Sequence, residues 1–215
     1  MALALSLDKP RSQSPVSFAG EAELRGLVER VGAGDVAAMA TLFDVHAEMV
    51  ERILARILGR GRDVDLADLL QDVFVRALEG IGRLSDPRLL RPWIAGIAVR
   101  TARETIRARA RRKWLRFLPG YEVPEVATPP LDVEAREALR SAYAILEALS
   151  SDDRIAFCLR NIEGMELLDV ARACDTSVST VKRRLERAEQ RFVALARREP
   201  ALRSWLEEGA RWTEN

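Results

Sequence analysis

Chemistry that depends on histidine or cysteine has little to work with in this chain. Its 215 residues include one histidine and two cysteines, too few for any zinc-ligand spacing. Cys158 and Cys174 both fall on apolar helical stripes and read as structural thiols of a reducing compartment. Aromatics make up only 6% of the chain, against 31% charged residues, 12 glycines and nine prolines, a balance that leans towards helices. No window approaches the roughly 18 consecutive apolar residues of a membrane span, and the N-terminal MALALSLDKP loses its apolar run too soon for a signal peptide. A cytoplasmic protein without membrane insertion is expected. The sequence also has no glycine-rich phosphate loop and no nucleophile paired with a base, so neither an enzyme nor a cofactor is expected. The net charge of +1 excludes nothing, because a chain neutral in total can carry a strong local field.

What is present is helical periodicity in two blocks. Residues 1–20 hold Pro10, Pro15 and several serines without periodicity and read as a mobile arm. Leu42, His46, Met49, Val50, Ile53, Leu54 and Ile57 then follow the i, i+3, i+4 rule until GRGRD at 59–63. From Asp65, DLADLLQDVFVRALEGI sets Leu66, Leu69, Leu70, Val73, Phe74, Ala77, Leu78 and Ile81 on one stripe and Asp65, Asp68, Gln71 and Asp72 on the other face. GRLSDP breaks the pattern, and Pro92 suits the first turn of a long helix through RPWIAGIAVRTARETIRARARRKW. Residues 118–133, with four prolines and a glycine, read as a flexible linker. Four short helices fit residues 134–198, and the tail, 199–215, has room for a small helix after Pro200. The expected fold is all-α, with two small helical domains, 21–117 and 134–198, joined by that linker.

Charge is segregated along the chain. Glu21 to Val99 holds ten basic and thirteen acidic residues; Arg100 to Arg116 holds eight basic residues against Glu104 alone. Val178 to Arg198 holds seven basic and two acidic residues. A solvated helix face usually alternates sign to gain i, i+4 pairs, and Arg100 to Arg116 does not. Two basic helices on separate domains make a bipartite footprint for a polyanion.

The second basic helix has a particular approach. MELLDVARAC is a short amphipathic helix, Asp175-Thr176 can turn tightly, and Ser177 can cap the next helix. This is a helix-turn-helix, whose second helix enters the major groove of DNA by its first turns. Val178, Val181, Leu185, Ala188 and Phe192 would face the core, leaving Ser179, Thr180, Lys182, Arg183, Glu186 and Arg187 outward. Lysine and arginine can reach guanine acceptors or phosphate, and glutamate can accept from cytosine.

In this order, the stretches resemble the extracytoplasmic-function (ECF) group of bacterial sigma factors, from about Leu27 to Leu195. GDVAAMATLFDVH resembles the start of the group's first domain, DLADLLQDVF its polymerase-binding helix and RPWIAGIAVRTARETIRARARR its promoter-melting helix. AILEALSSDDRIAFCLRNIEGMELLDVARACDTSVSTVKRRLERAEQRF resembles the second domain almost continuously. The resemblance implies that Asp68, Gln71 and Asp72 dock on the clamp coiled coil of RNA polymerase core, with a further contact to the flap. It also implies that the first domain captures the melted −10 element, for which Arg100, Thr101, Arg103, Arg107, Arg109 and Arg111 are the candidate residues. The second domain would read the −35 element as duplex through Ser177, Ser179, Thr180, Lys182, Arg183, Glu186 and Arg187. The linker would thread near the polymerase active-site channel, and an anti-sigma factor would be the regulatory partner.

The chain departs from the group's pattern at four points. Thr101 stands where an Asn is usual in the melting helix and Thr105 where an Asp is usual, which bears on base-specific capture. Asp175 replaces the usual turn Gly, and tolerates a left-handed backbone better than most residues. Arg183 stands where a small Ser is common. Trp93, Trp114, Phe117 and His46 read first as packing residues. Two other functions fit parts of this pattern. An autonomous helix-turn-helix regulator leaves the acidic face and the first basic helix without purpose, and a polymerase adaptor that has lost promoter melting is suggested by Thr101 and Thr105.

Overall fold

A computed structural model of the chain describes residues 20–59, 65–115 and 133–202, with the side chains of 112–115 and 133–136 left aside. The N-terminal arm, nearly all of the linker and most of the tail lie outside the described residues. Among those described there is no strand. Helices α1 (Glu21–Gly32), α2 (Val36–Leu58), α3 (Leu66–Gly80) and α4 (Leu90–Leu115) make one unit; α5 (Val133–Glu147), α6 (Ser151–Phe157), α7 (Leu167–Ala173) and α8 (Val178–Ala196) make the other.

Helix starts in the first unit obey the capping chemistry of the sequence. Asp35 accepts from the amides of Ala37 and Ala38 at 2.9 and 3.3 Å, and Asp65 accepts from Ala67 and Asp68 at 2.9 and 3.4 Å. The 3.6-residue stripe of α2 buries Leu42, Val50, Ile53, Leu54 and Ile57 completely, against α3 and α4. His46 is also buried there, and its imidazole pKa falls to about 4 because burial disfavours the cation and Arg91 adds a like charge. α4 starts earlier than the proline suggested, at Leu90, after a 3₁₀ turn over Pro87–Leu89 that Asp86 caps. Its first half has no solvent stripe. Ile94, Ala95, Ile97, Ala98, Val99, Thr101 and Ala102 are all buried, which makes α4 the central helix of the unit.

The second unit is built around α8. Val181, Leu185, Ala188, Phe192 and Ala196 are buried against α5, α6 and α7, and the Phe192 ring stacks on Phe157 with centroids 5.0 Å apart. α6 is capped by Ser150 and runs straight into a single π turn, Cys158–Ile162, closed by the Glu163 amide donating to the Cys158 carbonyl at 2.9 Å. Such turns carry an extra residue and recur at functional positions. After Pro200 the chain begins another helical turn and buries Leu202.

The two units also touch. α4 crosses α7 so closely that a Cβ on Gly96 would stand 3.4 Å from both the Cα and the carbonyl oxygen of Ala173. The buried apolar residues of both units form one continuous cluster.

Candidate nucleic-acid interface

α3 presents the acidic face at its first two turns. Asp68 and Gln71 are exposed, while Asp72 is half-buried and tied by 3.0 Å to Arg76, one turn on. Arg76 also donates to Glu104 of α4 at 2.9 Å, and its guanidinium pKa is raised, first by that hydrogen bond. Asp72 therefore belongs to a strut between α3 and α4 as well as to the acidic face. Asp68 and Gln71 are the groups turned to solvent.

The basic half of α4 divides into free and engaged residues. Arg100, Arg107 and Arg111 are exposed. Arg109 donates to the Leu58 carbonyl at 2.7 Å, closing the end of α2, and Arg103 donates to Asp152 at 3.0 Å and to the Cys174 carbonyl at 3.3 Å in the second unit. Thr101, expected among the melting residues, is 2% exposed, with its side chain turned to the core. Thr105, half-buried, donates to the Thr101 carbonyl at 2.9 Å, the back-bond that a helical threonine makes when no other partner is offered.

The helix-turn-helix forms as its residues require. Cys174 ends α7, Asp175 takes φ 52°, and the amides of Asp175 and Thr176 donate to the Arg172 and Ala171 carbonyls at 3.1 and 3.0 Å. These are the two bonds of a Schellman cap, with Asp175 in the left-handed position that glycine usually takes. Ser177 then caps α8 by accepting from the Thr180 amide at 3.2 Å. Ser177 and Ser179 hydroxyls lie 2.9 Å apart, and Ser177 and Thr180 hydroxyls 3.0 Å apart. Ser179, Lys182, Arg183, Glu186 and Arg187 are exposed, Thr180 is half-buried, and Val178 packs on the edge of the core.

Three acids that the sequence reading does not single out, Asp152, Asp153 and Glu163, hold arginines in ion pairs. Asp152 accepts from Arg184 at 2.6 Å as well as from Arg103, and Asp153 accepts from Arg187 at 2.7 Å. Arg187 is thus held by α6 rather than extended, and its guanidinium pKa is raised by that bond. The one signal available was the run SSDD, whose acids exceed what a cap needs. A cleft of about 710 Å³ lies between α3, α4 and α7, with Trp93 and Gly96 on its wall and Arg76, Arg83, Arg100 and Arg172 around it. Trp93 packs on the core against Gly80, as expected, whereas Trp114 and Phe117 have no described side chain. No helix among the described residues is long and apolar enough to cross a membrane.

Comparison with known proteins gives two family matches: sigma-70 region 2 over residues 42–112 and sigma-70 region 4 over residues 139–192. The ECF RNA polymerase sigma-E factor of Haemophilus influenzae is 29% identical over 175 residues, which is 77% of this chain and 91% of that protein. The ECF RNA polymerase sigma-E factor of Escherichia coli is 27% identical over 173 residues, 76% of this chain and 89% of its own length. Among solved structures, CnrH in complex with the cytosolic domain of CnrY superposes with a TM-score of 0.57 at 25% identity, covering 80% of this chain and 95% of that one. The sigma factor RpoE in complex with the anti-sigma factor NepR from Bartonella quintana shares the fold, with a TM-score of 0.56 at 22% identity over 72% of this chain and 94% of that one.

Proposed function

Because the chain belongs to the ECF group of the sigma-70 family and so directs transcription initiation by RNA polymerase, we propose that its three charged faces divide that work. The unit over 21–117 docks on the polymerase clamp through Asp68 and Gln71 of α3, with Asp72 holding the face through Arg76. Arg100, Arg107 and Arg111 of α4 track the melted −10 strand, and Arg103 and Arg109 join them only when they leave their present partners. The unit over 134–198 reads the −35 duplex through Ser177, Ser179, Thr180, Lys182, Arg183, Glu186 and Arg187, with 118–133 tethering the two units, 1–20 as an arm at one end and 199–215 as a tail at the other. The protein acts as an initiation factor rather than an enzyme, in the cytoplasm where core polymerase works. CnrH is in complex with the cytosolic domain of CnrY in its structure and RpoE with the anti-sigma factor NepR in its own, and an anti-sigma factor is the partner we propose here.

The observation that carries this division is the pairing of one acidic helix with a basic helix in the same unit, and a second basic helix behind a capped turn in the other. An autonomous duplex-binding regulator would need only the second. The test is Asp68→Lys with Gln71→Lys, which spares the Asp72–Arg76–Glu104 strut. The expected result is loss of core-polymerase binding in a pull-down at physiological salt, with unchanged helical content. Undiminished core binding would remove α3 as the docking face.

A further inference from the structure

The first turn of α6 grips α8 by two arginines. Asp152 accepts from Arg184 at 2.6 Å, and Asp153 accepts from Arg187, whose Nη2 lies 2.7 Å from Oδ1 and whose Nε lies 3.4 Å from Oδ2. These arginines are three residues apart on α8 but meet solvent differently: the Arg184 side chain is 16% exposed and that of Arg187 52%. Arg184 is packed beneath the surface, whereas Arg187 continues the outward row of Ser179 and Arg183 in steps of four residues. Lys182 and Arg183, nearer the start of the helix, have no ion-pair partner among the described residues. Of the three cations proposed to meet the duplex, only Arg187 has a carboxylate beside it.

The carboxylate that holds Arg187 is itself held. The Asp153 side chain is 13% exposed, its amide donates to the capping hydroxyl of Ser150 at 3.3 Å, and Ile155, Ala156 and Phe157, which follow on α6, are buried. Phe157 stacks on Phe192 of α8, so the core fixes where Asp153 stands beside that helix. A side-on pair through Nε and Nη2 occupies one edge of the guanidinium and leaves the other end, Nη1 with the second proton of Nη2, directed away from the carboxylate. That end still offers two parallel donors, the pattern that matches O6 and N7 of a guanine. We propose that Asp153 is a positioning residue for recognition of the upstream element, fixing the Arg187 guanidinium in the orientation that presents this end to a guanine edge. The inference rests on the −35 reading proposed for α8.

One carboxylate then has two effects. An unheld arginine must give up its rotamer freedom when it meets a base, and it can as easily swing to a phosphate; one held beforehand has already given that freedom up. The second effect is charge. A phosphate that approaches Arg187 also approaches Asp153, so the pair attracts the DNA backbone less than a bare arginine does. Guanine O6 and N7 carry no net charge and meet less of that repulsion. Asp153 should therefore favour the matched duplex while weakening binding to all others, a combination of opposite signs that general damage to the fold does not produce.

The experiment titrates the full chain, assembled with core polymerase, against a promoter library with one −10 element and a randomised upstream element, at two salt concentrations. Wild type should prefer a guanine at one upstream position, and Arg187→Ala should lose that preference. Asp153→Ala should lower the ratio between preferred and other bases at the same position by roughly three- to tenfold, while binding to the other sequences rises and their salt dependence steepens. Asp153→Asn, which keeps the shape and removes the charge, should give the same signs by less, and keeps the test decisive if Asp153→Ala does not fold. Because Asp153 acts through Arg187, adding Asp153→Ala to Arg187→Ala should cost no further discrimination. An unchanged ratio in the folded Asp153 variants, or an additive loss in the double variant, would overturn the positioning role. So would an equal fall in binding to every sequence. Wild type with no preference among upstream sequences would instead overturn the −35 reading, and this role with it.

Discussion

α4 and α8 are both basic helices, yet they are built in opposite ways. In α8 the apolar stripe of Val181, Leu185, Ala188 and Phe192 runs the length of the helix, so the core fixes the rotation of every outward residue from Ser179 to Arg187. In α4 the burial comes first and the charge afterwards: Ile94 to Ala102 is nearly surrounded by protein, and the exposed arginines, Arg100, Arg107 and Arg111, lie at or beyond the end of that stretch. A face locked in rotation suits the reading of base edges in a rigid groove, where a side chain must arrive at a set position. An arm of positive charge extending past its core suits a backbone whose path is not fixed in advance. The two helices carry similar charge, and the difference in how each meets the core separates the proposed roles.

The comparison breaks most sharply at Phe192. Phe192→Ala removes a buried ring stacked on Phe157 and should cost about 3–5 kcal/mol in urea unfolding, whereas Arg107→Ala on the exposed end of α4 should stay within about 0.5 kcal/mol. Equal small effects would mean that α8 is not anchored as described. Next comes pH, which distinguishes the units because the only histidine of the chain, His46, is in the first. Its folded pKa of about 4 lies below the unfolded 6.5, so between these values the unfolded chain binds more protons. Stability from this site is complete above pH 6.5 and falls as pH drops towards 4, by about 3 kcal/mol in all. His46→Leu should flatten the slope between pH 7 and 5.5 in a series of melting temperatures; an identical slope would place the pH dependence elsewhere.

Two smaller effects sharpen the comparison at the turn and the groove. Arg187→Ala should weaken binding of the preferred upstream duplex by roughly tenfold and other duplexes less. A uniform loss with a flatter salt dependence would make Arg187 a phosphate contact. The smallest effect belongs to Asp175. Its left-handed backbone costs an aspartate more than a glycine, so Asp175→Gly should raise stability by about 0.5–1 kcal/mol without altering affinity for DNA. A loss of stability would mean that the aspartate side chain contributes something the cap alone does not.

Periodicity and capping carried most of the fold. The stripes of α2, α3 and α8 and the cap at Ser177 were legible because each depends on residues within a turn or two of one another. α4 was legible as a helix but not as the central one, since a helix buried on most sides in one half and charged in the other has no single stripe to read. Thr101 illustrates the limit on the site. Its place in the family pattern pointed to a nucleotide, while its burial is decided by helices packed around α4 from elsewhere in the sequence. The same holds for Arg103 and Arg187, whose partners Asp152 and Asp153 lie 49 and 34 positions away. Charge counting located the basic helices, but which arginines are free depends on tertiary pairs that no local pattern encodes.

The claim that one chain both selects and opens a promoter is tested most directly by open-complex formation with purified core polymerase. Two templates share a matched promoter; one is a linear duplex and the other is pre-melted at the −10 element. Wild type should open the duplex only when the upstream element is present. Arg107→Ala with Arg111→Ala should fail on the duplex and recover on the pre-melted template, while Arg187→Ala should be impaired on both. Upstream binding by wild type with no strand opening in the presence of core would contradict the account and leave a duplex-binding regulator in its place.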